Sequence, residues 1–200
     1  MRCGLGVLCV MPKTTFTAVL FAGGESRRMG ADKATLIFEG EPLWARQLAT
    51  LRKLSPEKIL VSARTKPPWC PPEIEMVLDA PPSRGPLSGL AAALKKITTT
   101  HLFALAVDLP LMTADHLCWL QSQIDSGVGV MPVLRGHCEP LCAIYPVESG
   151  EFAQTALASE DVSMNSLISK LRDKQLLRDC EIEAGRAKFY RNANAPEDLL

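Results

Sequence analysis

Short runs that are apolar on both faces recur along this chain, separated by stretches of helical periodicity, and few architectures accept that pattern. The runs are Phe16–Ala22 (FTAVLFA), Lys58–Ala63 (KILVSA), Ile74–Leu78 and His101–Val107 (HLFALAV). A strand without polar alternation has to be buried on both sides, so helices must lie on both faces of its sheet. The intervening stretches read as those helices. Pro42 opens one in which Trp44, Leu48 and Leu51 fall at i, i+4 and i+7, and Ser55-Pro56 closes it. The turn Ser83-Arg84-Gly85-Pro86 precedes another, with Leu87, Leu90, Leu94 and Ile97 on one face. Thr113 reads as the N-cap of a third, which buries Leu117, Leu120 and Ile124. Strands are expected near 128–134 and 141–146, helices near 149–158 and 164–172, and a last strand at Lys188–Arg191 leading into Asn192-Ala193-Asn194. The Pro-rich stretch KPPWCPP has no periodicity and reads as loop. The expected fold class is α/β, a single-domain, Rossmann-like three-layer sandwich with a mostly parallel sheet and helices on both faces.

Composition narrows the function classes. Two hundred residues suit one domain, and a domain of that size buries roughly 70% of the surface its unfolded chain exposes, so it needs no staples. Lys+Arg and Asp+Glu number 22 each, which argues against binding nucleic acid or an acidic membrane through bulk charge. The seven cysteines are an odd, scattered set without a Cys-x-x-Cys. Cys138, Cys142 and His137 lie close in sequence but lack a second ligand pair, so free thiols in a reducing compartment are expected. In the first dozen residues one Arg precedes a short apolar run with no small-x-small cleavage site. Residues 1–13 therefore read as an N-terminal extension, with Met11 an equal candidate for the start. No stretch reaches the ~18 uninterrupted apolar residues of a membrane span, and the expected location is the cytoplasm.

In open parallel sheets ligands bind beyond the carboxyl ends of the strands. The polar residues there are Gly23–Lys33, Ser62, Asp79, Asp108 and the Asn192/Asn194 pair. The loop Ala22-Gly-Gly-Glu-Ser-Arg-Arg-Met-Gly-Ala-Asp-Lys33 holds three glycines and three cations. Glycines let backbone N–H groups curl around an anion, and cations neutralise phosphate charge. The loop matches neither GxxxxGK[ST] nor GxGxxG, so those two phosphate-binding readings fail. Histidines 101, 116 and 137 show no triad or ligand spacing, and His101 and His116 read as structural.

The run LFAGGESRRMGADKA resembles the LAGGxSxRMGxDKA signature of the molybdenum cofactor guanylyltransferase family of nucleotidyltransferases. Gly85-Pro86-Leu87-Ser88-Gly89, Asp108-Leu109-Pro110, Glu139-Pro140-Leu141 and Asn192-Ala-Asn194-Ala-Pro196-Glu197 agree with it, so the resemblance covers about residues 16 to 198. It implies a fold like that of the nucleotide-diphospho-sugar transferases, with 14–200 as the nucleotidyltransferase domain. It also implies transfer of GMP from GTP to the phosphate of molybdopterin, with pyrophosphate released. Phe21, Ala22 and Gly23 would lie along the nucleotide, Lys33 would contact its phosphates, and Arg28 would neutralise the triphosphate. Ser62 and Asp79 would line the guanosine pocket, Asp108 would hold Mg²⁺, and Asn192 and Asn194 would face the pterin. Other molybdenum cofactor biosynthesis proteins are the implied partners. The sequence departs from the family at Phe21, where Leu is usual, and at Ser62, where Asn is common.

The residues themselves support such chemistry. A phosphate nucleophile and a nucleoside triphosphate are both anions, so catalysis of their reaction is chiefly positioning and charge neutralisation. A carboxylate at the end of an apolar strand suits Mg²⁺, which needs only one or two protein carboxylates besides phosphate oxygens. Four rivals stand beside this reading, the most general being another nucleotidyltransferase that acts on sugar phosphates or other phosphorylated acceptors. A CTP-using enzyme on the same acceptor is disfavoured because its kin start with LAAG rather than Ala22-Gly23-Gly24. A non-catalytic nucleotide-binding module is disfavoured by the intact Lys33 and Asp108, and a redox Rossmann protein by the missing GxGxxG.

Overall fold

A computed structural model describes residues 14–23, 32–79, 83–125, 127–159, 162–193 and 198. Its strands, in chain order, are β1 (Phe16–Phe21), β2 (Ile37–Phe38), β3 (Glu41–Pro42), β4 (Lys58–Ala63), β5 (Glu75–Leu78), β6 (His101–Ala106), β7 (Gly129–Leu134), β8 (His137–Cys138), β9 (Ile144–Pro146) and β10 (Leu177–Glu181). The helices are α1 (Leu43–Arg52), α2 (Pro86–Lys96), α3 (Ala114–Gln121), α4 (Ser149–Ala158) and α5 (Met164–Asp173), with 3₁₀ segments at Lys33–Thr35 and Ala184–Tyr190.

The main sheet has the order β10-β7-β9-β6-β1-β4-β5, with β8 hanging on β7. Pairings of β1 with β4 and β6, of β4 with β5, and of β7 with β10 are parallel. Strand β9 runs against both β6 and β7, and β8 against β7. The sheet is thus mixed and mostly parallel, as expected from the doubly apolar runs.

Alternation along those strands feeds two cores. Phe16, Ala18 and Leu20 of β1 and Phe103 and Leu105 of β6 point into a cluster with Leu48 and Leu51 of α1 and Leu117 and Leu120 of α3. Val19 and Phe21, with Leu102 and Ala104, point the other way, onto Leu87, Leu90 and Leu94 of α2 and Leu167, Ile168 and Leu171 of α5. The central strands β1 and β6 are therefore apolar at nearly every position, because side chains on both faces meet a helix layer. Thr113 caps α3 as expected, its hydroxyl accepting from the His116 N–H, and Ser163 does the same for α5.

Two expectations need correction. The run Lys188–Arg191 is not a strand: it ends the 3₁₀ segment Ala184–Tyr190, whose aromatic residues pack on side chains of α3 instead of joining a ladder. The last strand is β10, at the sheet edge, where Arg178, Asp179 and Glu181 are exposed and only Leu177 is buried. A charged edge strand has no apolar signature because only one neighbour and little core claim it. The strand expected at 141–146 is confined to Ile144–Pro146.

The extension expected at 1–13 lies outside the described residues, and the domain boundary at 14 remains an expectation. The described cysteines, Cys70, Cys118, Cys138, Cys142 and Cys180, are free thiols.

Candidate active site

The strands end level with one another. Phe21 stands opposite Ser62 and Ala106, and Ala63 opposite Leu78. Backbone bonds then carry the chain past the sheet edge in the same register. The Ala22 N–H donates to Ser62 O at 2.9 Å, Val107 N–H to Phe21 O at 3.0 Å, and Asp79 N–H to Ala63 O at 3.3 Å. Four sequence-remote segments thus place Ala22-Gly23, Arg64, Asp79 and Asp108 on one rim. Gly23 is exposed there and faces the Ala63 backbone; a methyl group on it would lie 3.3 Å from the Ala63 Cα.

On the α2 side of β1, Phe21, Ser62 and Asp79 converge beneath Gly89. A Cβ built on Gly89 would stand 2.5 Å from Ser62 Oγ, 3.1 Å from Phe21 Cε1 and 3.3 Å from Asp79 Oδ1. Only a hydrogen at this position lets the helix approach the strand ends so closely. Helix α2 begins cleanly just upstream, because Gly85 takes a left-handed φ of 73° and Pro86 occupies the first turn. Asp79 is held by the Ser83 hydroxyl, which donates to its Oδ2 at 2.8 Å, while Ser88 Oγ accepts from the Arg84 N–H at 2.8 Å. Asp79 Oδ1 therefore remains turned toward Ser62 and Gly89. Ser62 itself is 2% exposed, so its hydroxyl sits under the helix and not on the open rim.

On the other side of β1, Lys33 Nζ pairs with Asp108 Oδ2 at 3.5 Å, both side chains about one-quarter exposed. Lys33 is set by its neighbour. The Asp32 carboxylate accepts from the Ala34 N–H at 3.0 Å and from Trp69 Nε1–H at 2.8 Å, and the Trp69 ring stacks on Trp44 of α1 at 5.3 Å. The Pro-rich loop read as mere connection thus braces the base of the lysine. The peptide after Asp108 is anchored as well: Gln47 Nε2 donates to Leu109 O at 2.5 Å and Arg46 Nε to Pro110 O at 3.0 Å. The Ala193 N–H donates to Asp108 O at 2.8 Å, which brings the exposed Asn192 to the same place.

Glu139, quoted in the sequence only as part of a motif, joins this group. Loss of solvent raises its carboxyl above the ordinary range and the Asp108 charge raises it further, while His137 opposes both. Sequence reading missed Glu139, Gly89 and Trp69 as contributors, since nothing local distinguishes them from turn, helix and loop residues. Arg28 and Asn194 lie outside the described residues. Among the described residues no three His, Cys, Asp or Glu side chains form a metal cluster, and no helix is long and apolar enough to cross a membrane.

Comparison with known proteins supplies the family. A relative from Xanthomonas euvesicatoria, named molybdenum cofactor guanylyltransferase, is 32% identical over 91% of this chain and 91% of its own. One from Opitutus terrae, named "Probable molybdenum cofactor guanylyltransferase", is 32% identical over 92% of this chain and 93% of its own. The solved molybdopterin-guanine dinucleotide biosynthesis protein A of Archaeoglobus fulgidus shares the fold with a TM-score of 0.67 at 20% identity, covering 92% and 94% of the two chains. The 4-diphosphocytidyl-2C-methyl-D-erythritol synthase of Anaerococcus prevotii shares it with a TM-score of 0.70 at 11% identity, covering 93% of each. The family model for the MobA-like NTP transferase domain matches residues 18–176, a span that takes in the rim from the end of β1 through Asp108 and Glu139. With residues 18–176 matched by that family model and relatives 32% identical over most of both chains, the chain is a nucleotidyltransferase and belongs to the MobA-like NTP transferase domain family.

Proposed function

We propose that the protein transfers GMP from GTP to the phosphate of molybdopterin, forming the guanine dinucleotide and releasing pyrophosphate. The observation that carries this reading is the division of the rim by the end of β1: the Asp79 carboxylate on the α2 side, backed by the close-packed Ser62 and Gly89, and a Lys33–Asp108 pair beside Asn192 on the other. Guanine offers N1–H and N2–H₂ donors, which the Asp79 carboxylate and rim carbonyls can accept. The triphosphate then runs across Ala22-Gly23 toward Lys33 and the Arg28 loop. The acceptor phosphate, held by Asn192 and Asn194, attacks the α-phosphorus as the bond to the pyrophosphate oxygen breaks. Both reactants are anions, so the chain's work is to orient them and neutralise their charge.

The residues suit Mg²⁺. Asp108 is a hard carboxylate donor beside the Lys33 cation, and its charge is felt by Glu139. Asp108 would hold the ion, which when bound supplies further neutralisation of phosphate oxygens. GTP and molybdopterin are the substrates on this reading, other molybdenum cofactor biosynthesis proteins its partners, and the cytoplasm its location.

The test is pyrophosphate release with molybdopterin and each of GTP, CTP, ATP and UTP. GTP is expected to be used best. Equal or better turnover with CTP would move the protein to the cytidylyl reaction, and nucleotide binding without turnover would make it a binding module.

A further inference from the structure

His116 of α3 is 1% exposed, yet its ring is fully engaged by polar groups from another part of the chain. Tyr190 Oη lies 2.9 Å from its Nε2, and Arg186 Nη1 lies 3.3 Å from its Nδ1. A guanidinium only donates, so Nδ1 must accept and the ring proton must sit on Nε2, donated to Tyr190. The Tyr190 hydroxyl in turn lies against the thiol of Cys142, just beyond Glu139-Pro140-Leu141. Rings hold the same arrangement. His116 stacks on Phe189 at 4.6 Å and on Trp119 at 5.3 Å, and Arg186 lies 4.1 Å over Trp119.

This network occupies a stretch that the sheet does not order. The Ile182 N–H donates to Val133 O, the last bond of that kind along the β10 edge, and the next backbone bond to another element is from Ala193 to Asp108 O. Between them the segment Ala184–Tyr190 has internal 3₁₀ bonds and its side-chain contacts with α3. Two residues beyond Tyr190 stands Asn192.

We infer that His116 is a positioning residue for the acceptor: through Tyr190 it fixes the segment that presents Asn192 beside Asp108. The inference rests on the reading that this segment receives the pterin. The ring has to remain neutral for the chain of bonds to keep its direction. Burial, and secondarily Arg186, hold the His116 pKa down to about 4, consistent with that requirement. The groups facing the ring are Arg186, Tyr190 and the apolar rings of Trp119 and Phe189.

The test uses Tyr190→Phe, which removes one hydroxyl and no other group, together with His116→Gln and Asn192→Ala. For Tyr190→Phe and His116→Gln the KM for molybdopterin should rise about tenfold, the scale of one lost buried hydrogen bond, while the KM for GTP stays within about twofold. Fold integrity is followed by circular dichroism. A raised acceptor KM in Asn192→Ala with a normal one in Tyr190→Phe would overturn the role of His116 alone. An unchanged acceptor KM in Asn192→Ala would overturn the acceptor reading and the inference with it. Acceptor and GTP KM rising together would show a general structural role and also overturn it. On the wild-type protein, ¹⁵N-histidine NMR at pH 7 should show His116 as the Nε2–H tautomer; an Nδ1–H ring would contradict the proposal without recourse to any variant.

Discussion

The two sides of the candidate site are ordered by different physics. Along β1, β4, β5 and β6 the parallel ladder sets where each strand stops, and Ala22, Asp79 and Asp108 reach the rim because backbone bonds put them there. Beyond β10 there is no such ladder, and the approach to Asn192 is held by a side-chain chain from the half-buried Arg186 through the buried His116 to Tyr190. A rim built by the sheet should tolerate changes of side chain without loss of structure. A segment built by side chains should not. Functional loss and structural loss are therefore expected to separate on the first side and to coincide more closely on the second.

The largest effect that sharpens this contrast is expected from Asp108→Asn. Its backbone carbonyl still accepts from Ala193 and the asparagine keeps the size, but the charge that balances Lys33 and suits a hard cation is gone. Pyrophosphate release should fall on the order of a hundredfold or more with the thermal midpoint nearly unchanged. Near-normal rates across a Mg²⁺ titration would remove Asp108 from the chemistry.

On the side-chain-built half, acid should act on stability. The folded His116 stays neutral down to about pH 4, whereas the unfolded residue takes up a proton below its ordinary value of 6.5. The unfolded state therefore binds more protons in that window, and stability falls as pH drops from 6.5 toward 4. Between about pH 7 and 5 this residue alone accounts for on the order of 2 kcal/mol. His101, also lowered chiefly by burial, contributes in the same direction, so the comparison has to be made against His116→Gln. Urea denaturation at both pH values should show a shallower loss in the variant; equal slopes would mean that the ring is not buried neutral.

The smallest of the three is Gly89→Ala. In a helix interior alanine is favoured over glycine by up to about 1 kcal/mol, which the close contacts beneath position 89 offset, so the fold should survive with stability little changed. The new methyl meets Ser62 Oγ at 2.5 Å and crowds Asp79, and the Ser62 side chain has to turn away. The KM for GTP should rise about tenfold, with the KM for molybdopterin unaffected. If both KM values hold, the Asp79 carboxylate held against Gly89 does not place the nucleotide and the division of the rim loses its base side.

Much of the sheet-built half is legible in the amino-acid sequence. The runs at β1, β4, β5 and β6 are predominantly apolar, and a residue's hydrophobicity and its place in a periodic pattern are local properties of the chain. Once those strands are recognised as parallel, their ends are the place to look, and Lys33, Asp79 and Asp108 are found there. The sequence motifs added a glycine-rich, cationic loop expected to suit phosphate, and the family resemblance; the match over residues 18–176 bears out the resemblance.

What only the tertiary structure decided are the contacts between residues far apart in sequence that carry no local mark. Strand β10 is mostly charged and owes its conformation to pairing with β7 at the sheet edge. Phe189 and Tyr190, good strand formers, take a 3₁₀ turn instead because the buried ring of His116, more than 70 positions earlier, offers them a stacking face and a hydrogen bond. Trp69 reaches Asp32 across 37 positions, and Gly89 matters because Ser62 comes up beneath it. Periodicity is written residue by residue, but which distant group fills a gap or completes a hydrogen bond is settled only when the layers pack, and there the geometry of the partner outweighs local propensity.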